Sequence, residues 1–300
     1  MELCAKNICK LSRAFSGSEK NIGKVEKMIR KYHCSVMYSD EYSKRILKIL
    51  SDEGIHYDDI MGNAFVFYVY SDNPRTAEIL KHLETEPSVE VLFSKSELEN
   101  ANWYILEATR FDIETSDDDF TFEYSCPYRT PYDTRYRHQK QINPYVSKRT
   151  PKWKNNYNFC AMLGDFNRVF CSDRAKNMIF TRDIVGVDYM NVVNRRGEST
   201  ENVSQMIFNN VLPMNCFNFI GEYSAHQCES CGKIHYEFKR PGDDNIRIRA
   251  DLIPKGIDVF VAERSFSRGW IQPPIIISKK FYDLLANEMK EKHLRYFPIG

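Results

Sequence analysis

The residues best spaced for chemistry in this 300-residue chain are His226-Gln-Cys228-Glu-Ser-Cys231-Gly232-Lys-Ile-His235. Two cysteines separated by two residues on a tight turn can both present thiolates to one tetrahedral ion, and Gly232 can take the positive φ that the turn needs. Zinc takes four ligands, so Cys228 and Cys231 make half of a site. Cys126, at the end of an alternating strand, is the candidate third ligand; His226, His235 and His138 compete for the fourth. A redox role suits the pair less well. An oxidoreductase Cys-x-x-Cys opens a helix whose N-terminus lowers the first thiol's pKa, whereas Lys233-Ile-His-Tyr-Glu-Phe238 alternates as a strand. Two unmetallated packing thiols are the third reading.

A second stretch carries charge rather than ligands. From Tyr128 to Lys154 stand Arg129, Arg135, Arg137, Lys140, Lys148, Arg149, Lys152 and Lys154 against the single acid Asp133, with Tyr128, Tyr132, Tyr136 and Trp153 interleaved. Cations alternating with aromatics can hold phosphates and stack bases. A solvated loop punctuated by Pro127, Pro131, Pro144 and Pro151, or a face for an acidic protein partner, accounts for the same residues. Asp117, Asp118 and Asp119 could ligate a hard cation, but consecutive acids in a polar loop read first as a solvated tip. The chain has no phosphate loop, His-Glu-x-x-His, nucleophile elbow or dinucleotide fingerprint, which points away from the enzymes that short motifs announce.

The elements that must position these residues follow a recurring plan. Val36-Met-Tyr-Ser39, Val169-Phe-Cys-Ser172 and Ile275-Ile-Ile-Ser278 are apolar runs that end in serine and lead into amphipathic helices. Each serine suits a cap, its hydroxyl accepting from a free amide of the first helical turn. A further apolar segment follows each helix: Phe65 to Tyr70, Gly186 to Val193 and Leu294 to Ile299. Ser94 or Ser96 can cap another short helix with Glu97 and Glu99 in its first turn, ahead of a strand at Trp103-Tyr-Ile-Leu106. Repeated strand-helix-strand units predict an α+β fold with small mixed sheets and a Cys-x-x-Cys knuckle. Length predicts two domains: an N-terminal α/β domain over 1–115 and a C-terminal α+β domain over 116–300 that holds the knuckle.

Composition sets the setting. A hydrophobic content of 42% with 28% charged residues and a formal net charge of +1 describes a globular chain and selects no partner by charge. The opening Met1-Glu-Leu-Cys-Ala-Lys has no apolar signal core, and no run reaches the length of a membrane span, so a cytoplasmic protein is expected. Nine scattered cysteines then read as reduced thiols, with Cys4, Cys9, Cys34, Cys160, Cys171 and Cys216 as packing residues.

Over residues 90–300 the chain resembles the bacterial double-CxxCG-motif proteins, a group similar to the immunity proteins of polymorphic toxin systems. The resemblance rests on Phe93 to Trp103, Tyr124-Ser-Cys-Pro127, Cys228-Glu-Ser-Cys-Gly232 and the ending from Ile275 to Ile299. In that pattern a first Cys-x-x-Cys precedes the second; Cys126 matches it, and Arg129 stands where its second cysteine would be. The resemblance implies a non-enzymatic binding protein whose partner is a cognate toxin. The alternative is a zinc-dependent nucleic-acid-binding protein that uses segment 128–154.

Overall fold

The computed structural model describes residues 29–39, 41–60, 62–85, 87–113, 122–124, 139–141, 143–148, 150–162, 165–219, 223–227, 234–238, 246–263 and 273–299. Its contacts divide the chain into Met1–Glu99 and Asn100–Gly300. Both helices and strands are present, the strands in several small mixed sheets, so the fold is α+β.

The first unit holds β1 (Ile29–Met37), α1 (Tyr42–Asp52), β2 (Tyr57–Ile60), β3 (Ala64–Tyr70), α2 (Thr76–Lys81), β4 (Ser88–Leu92) and most of α3 (Lys95–Asn100). Its strands form one sheet in the order β2-β3-β1-β4, with every pair antiparallel. Alternation along β1 and β3 puts Cys34 and Val36 opposite Phe67 and Phe65, and these pack with Ile46, Leu50 and Ile79 of the helices. Ser94 and Glu97 form a reciprocal capping box at α3: the Glu97 amide donates to Ser94 Oγ at 3.2 Å and the Ser94 amide to Glu97 Oε2 at 2.8 Å. Ser39 is not a cap. α1 starts at Tyr42 with Glu41 as its cap residue, so Ser39 lies too far upstream to reach a first-turn amide. Its own amide instead donates to Ser43 Oγ at 3.1 Å.

The second unit contains β5 (Trp103–Ala108), β6 (Phe111–Ile113), β7 (Phe122–Tyr124), β8 (Gln139–Gln141), β9 (Phe159–Met162), β10 (Asp165–Cys171), α4 (Asp173–Thr181) and β11 (Asp188–Val193). It continues with β12 (Ser199–Ile207), β13 (Val211–Leu212), β14 (Phe217–Phe219), β15 (Tyr223–Gln227), β16 (Ile234–Phe238), β17 (Ile246–Ile248), β18 (Val259–Ala262), β19 (Ile275–Ser278), α5 (Lys279–Tyr282) and β20 (Leu294–Pro298). The helix of α5 widens to π geometry over Asp283–Glu288. The division falls between Glu99 and Asn100 because β5 and β6, expected with residues 1–115, pair with β19, β20 and β9.

Two five-stranded sheets of this unit share one topology. The first runs β6-β9-β10-β12-β11 and the second β13-β18-β19-β5-β20. In each, the short edge strand is parallel to its neighbour, and the other pairs are antiparallel. Chain order repeats as well: a long strand (β5 or β12), an edge strand (β6 or β13), an insert, a strand pair (β9-β10 or β18-β19), a capped helix (α4 or α5) and a closing strand (β11 or β20). The long strands are exchanged. β5 sits between β19 and β20 of the second repeat, while β12 sits between β10 and β11 of the first. Each sheet is therefore completed by the other half of the unit, so neither repeat has all its backbone partners without the other.

Local bonds follow the same plan. Ala161 donates its amide to Arg110 O at 2.7 Å, and Val261 donates to Asn210 O at 2.8 Å. Ser172 and Ser278 are the caps that their spacing predicts, accepting from Ala175 N and Phe281 N, each at 3.2 Å. The same hydroxyls donate to the residue before the repeat's first paired strand: Ser172 to Asn158 Oδ1 at 2.9 Å, Ser278 to Asp258 Oδ1 at 2.7 Å. β19 reads Ile-Ile-Ile without alternation because it is a central strand, and all three isoleucines are buried.

Candidate functional site

The knuckle residues fall on the second insert, between β13 and β18. There β15 and β16 form an antiparallel hairpin whose last rung is Gln227 with Ile234, so Cys228 and Cys231 belong to its connection. Both cysteines lie outside the described residues. Their flanking histidines are placed by the backbone: His226 and His235 occupy directly opposed positions of the ladder, one rung below the last. Opposed positions of an antiparallel pair share a face. The hairpin thus brings together two of the predicted histidine ligands, while His138 and Cys126 also lie outside the described residues.

Cys126 belongs to the equivalent place in the other repeat. β7 and β8 form an antiparallel pair inserted between β6 and β9, and Cys126 lies in the connection between them. Two hairpins thus occupy corresponding positions of two repeats, one with Cys228 and Cys231 in its connection and the other with Cys126 and Arg129. Among the described residues no group of three or more His, Cys, Asp or Glu is arranged to hold a metal ion.

Of the basic segment, Arg129, Arg135, Arg137, Arg149, Tyr128, Tyr132 and Tyr136 lie outside the described residues. The described aromatics are engaged within the unit rather than presented as a stack. Trp153 Nε1 donates to Asn202 O at 2.6 Å, and the Arg110 guanidinium lies over the rings of Trp153 and Tyr157 at 6.0 and 5.8 Å. Tyr145 is buried against Phe170, with ring centroids 5.5 Å apart. Asp117, Asp118 and Asp119 lie outside the described residues.

The buried ionisable groups serve packing. Cys34, Cys160, Cys171 and Cys216 are free and buried, as expected of packing thiols, and burial pushes Cys34 and Cys171 up to about 12. The same cause moves Cys160 and Cys216 upward. Thiols so held are protonated and weakly nucleophilic. Glu291 is the most buried carboxylate among the described residues; burial raises its pKa, and the bonds it accepts from Asn158 oppose that rise. It accepts from Asn158 N at 2.9 Å and Asn158 Nδ2 at 2.6 Å, and so orients the side chain that receives the Ser172 hydroxyl. His293, in ring contact with Tyr157 at 4.5 Å, is held below its ordinary pKa by burial and then by the charge of Arg110.

One site was not indicated by any motif. Ser147, Lys148, Thr150, Asn194, Ser199, Thr200, Glu201 and Asn202 line a groove of about 570 Å³. Its residues come from the end of the basic segment and from the hairpin of β11 and β12, two stretches that sequence spacing does not connect. Among the described residues no helix is long and apolar enough to cross a membrane. No protein-family model matches the chain, and no curated protein matches it.

Proposed function

We propose that this chain is a non-enzymatic cytoplasmic binding protein of the toxin-neutralising kind, acting through a protein partner. The observation that carries this reading is the pair of hairpins inserted at one position of two otherwise matched repeats. A duplicated scaffold whose copies keep their caps and strand order while their inserts differ places its specificity in the inserts, because a rigid frame tolerates loop change without loss of fold. The protonated state of the four described thiols supports binding over nucleophilic catalysis.

In this reading β15 and β16 are tied by zinc at the end where their connection joins them. Cys228 and Cys231 from the connection and His226 and His235 from the opposed rung make a donor set of sulfur and nitrogen, which suits this metal. The ion supplies no chemistry to a substrate; it stabilises a short two-stranded ladder that would be marginal alone. Cys126, the third ligand suggested by the sequence, is assigned instead to the counterpart hairpin of the first repeat.

The test pairs coexpression with elemental analysis. The chain should protect cells from, and copurify with, a toxin encoded beside it; absence of both for every neighbouring toxin overturns the partner assignment. Protein prepared without chelator should carry about one equivalent of zinc, as one four-ligand site requires. Less than about a tenth of an equivalent removes the knuckle.

A further inference from the structure

The two repeats differ most clearly where β12 crosses the first sheet. β5, its counterpart, pairs with β19 and β20 without a shift of register. β12 does not keep its register: Asn191 faces Ser204, but Val193 faces Ser199, so the intervening stretch of β12 bulges out of the ladder. Within that bulge Asn202 has φ of 56°, a left-handed conformation that asparagine tolerates better than most residues. It is held there from two sides, its Oδ1 accepting from Asp173 N at 3.0 Å and its carbonyl from Trp153. A bulge fixed in this way turns side chains out of the sheet and aims them elsewhere.

What it aims them into is the groove of about 570 Å³. The lining is hydroxyl, amide and charge: Ser147, Thr150, Ser199 and Thr200, then Asn194 and Asn202, with Lys148 as cation and Glu201 as anion. Thr200 Oγ1 is buried and has no hydrogen-bond partner among the described residues. An orphaned buried hydroxyl costs about 1–3 kcal/mol unless a ligand or solvent satisfies it. Beyond Asn194 the turn continues through Arg195 and Arg196, both exposed and without an ion-pair partner among the described residues. Lysine, arginine, serine, threonine and asparagine are the side chains that contact the phosphates and sugars of nucleic acids. Among the described residues no aromatic side chain lines the groove, so recognition there rests on its polar groups.

We infer that this groove binds the sugar-phosphate backbone of single-stranded RNA, independently of the proposed protein partner. Lys148, Arg195 and Arg196 meet phosphates, and the hydroxyls of Thr150, Ser199 and Thr200 fix the chain between them, the amides of Asn194 and Asn202 being spent on shaping the turn and the bulge. Glu201 accepts a hydrogen bond from a ribose 2′-hydroxyl, which DNA lacks. Recognition is independent of base sequence, because all of these groups face the backbone.

The experiment is fluorescence anisotropy with the full chain, using labelled RNA and DNA oligomers of about 12 nucleotides, a length within the range of single-strand grooves, across a salt series. Binding should weaken linearly in log K against log salt. Arg195→Ala with Arg196→Ala should reduce the slope by about 1.4, at about 0.7 for each phosphate left without its arginine. Thr200→Val should weaken RNA binding by about tenfold, the cost of one missing hydrogen bond, without lowering the melting temperature. Glu201→Gln should narrow the difference between RNA and DNA. Binding insensitive to salt, binding unchanged by all three variants, or equal binding of poly-glutamate overturns the assignment. So does the absence of binding at low salt.

Discussion

The first and second repeats of the larger unit build the same helix cap from different charges. In the second, the residue before the first paired strand is itself a carboxylate: Asp258 accepts from Ser278 Oγ and, through its other oxygen, from Val185 N at 3.0 Å and Lys280 Nζ at 3.4 Å. In the first, that position is the neutral Asn158, and the carboxylate is supplied from the other repeat by Glu291. Each cap is thus completed by the stretch that follows the other repeat's helix, Val185 in one case and Glu291 in the other. The frame is constant in its geometry and free in its chemistry. What matters is that a carboxylate stands behind each serine, not which element carries it.

The strongest way to break this arrangement is at Gly186, beside the bond from Val185. A Cβ built there stands 2.5 Å from Val259 O, a backbone atom that cannot swing aside, and the residue has φ of 108°. Gly186→Ala combines a forbidden backbone conformation with a clash, so it should cost about 4 kcal/mol in chemical denaturation. A cost below about 1 kcal/mol would mean that the two sheets do not approach closely at this point.

Glu291→Ala comes next. It leaves the Asn158 amide without its buried acceptor and its side-chain nitrogen with Asn155 O alone, for an expected cost of about 3 kcal/mol. Glu291 also gives the pair of repeats a pH signature. Its pKa is raised in the folded chain, chiefly by burial, so the folded state binds its proton more tightly than the unfolded state does. The stability this contributes is complete below the ordinary carboxylate pKa and is lost as pH rises through the raised one. Glu291→Gln should flatten that part of the stability profile, read from urea midpoints measured from the carboxylate range to neutrality. An unchanged slope would show that Glu291 is not the group responsible.

Much of the frame is legible in the sequence because it is local. Ser172 and Ser278 announce caps, the Ser94 and Glu97 pair announces a capping box, and the strands at Trp103, Val169 and Ile275 are visible as apolar runs. The strand exchange is not legible, since nothing within Trp103 to Ala108 says that its partners are 275–278 and 294–298. For the same reason the expected boundary at 115 and 116 places β5 and β6 on the side of the division opposite to their partners. Gly186 reads as a turn glycine, and only the approach of Val259 shows why a side chain is excluded. Of the candidate metal residues, the sequence supplies identity and spacing, and the register of β15 and β16 adds that His226 and His235 are opposed. The groove depends on a register shift in β12, a long-range property that leaves no mark beyond a run of polar residues.

The cap serines grade the comparison further. Ser172→Ala removes both the bond from Ala175 N and the donor to Asn158, and should cost about 2 kcal/mol. Ser278→Ala should cost less, about 1 kcal/mol, because Asp258 keeps Val185 N and Lys280 when the serine is removed. Equal costs would argue that the carboxylate behind the serine does not matter. The double variant Ser172→Ala with Glu291→Ala should destabilise by less than the sum of the two, since they share Asn158.

Ser39 is the control, with the same apolar run before it and the same helical pattern after it. It differs in distance: β1 ends at Met37 and α1 begins at Tyr42, so the cap position passes to Glu41, whose side chain makes no capping bond. The bonds at Ser39 are between its backbone and Ser43 Oγ, and alanine at position 39 retains both. Ser39→Ala should therefore change stability by less than about 0.5 kcal/mol. A loss approaching that of Ser172→Ala would mean that the three serine joins are equivalent after all, and that the first unit carries a third copy of the cap.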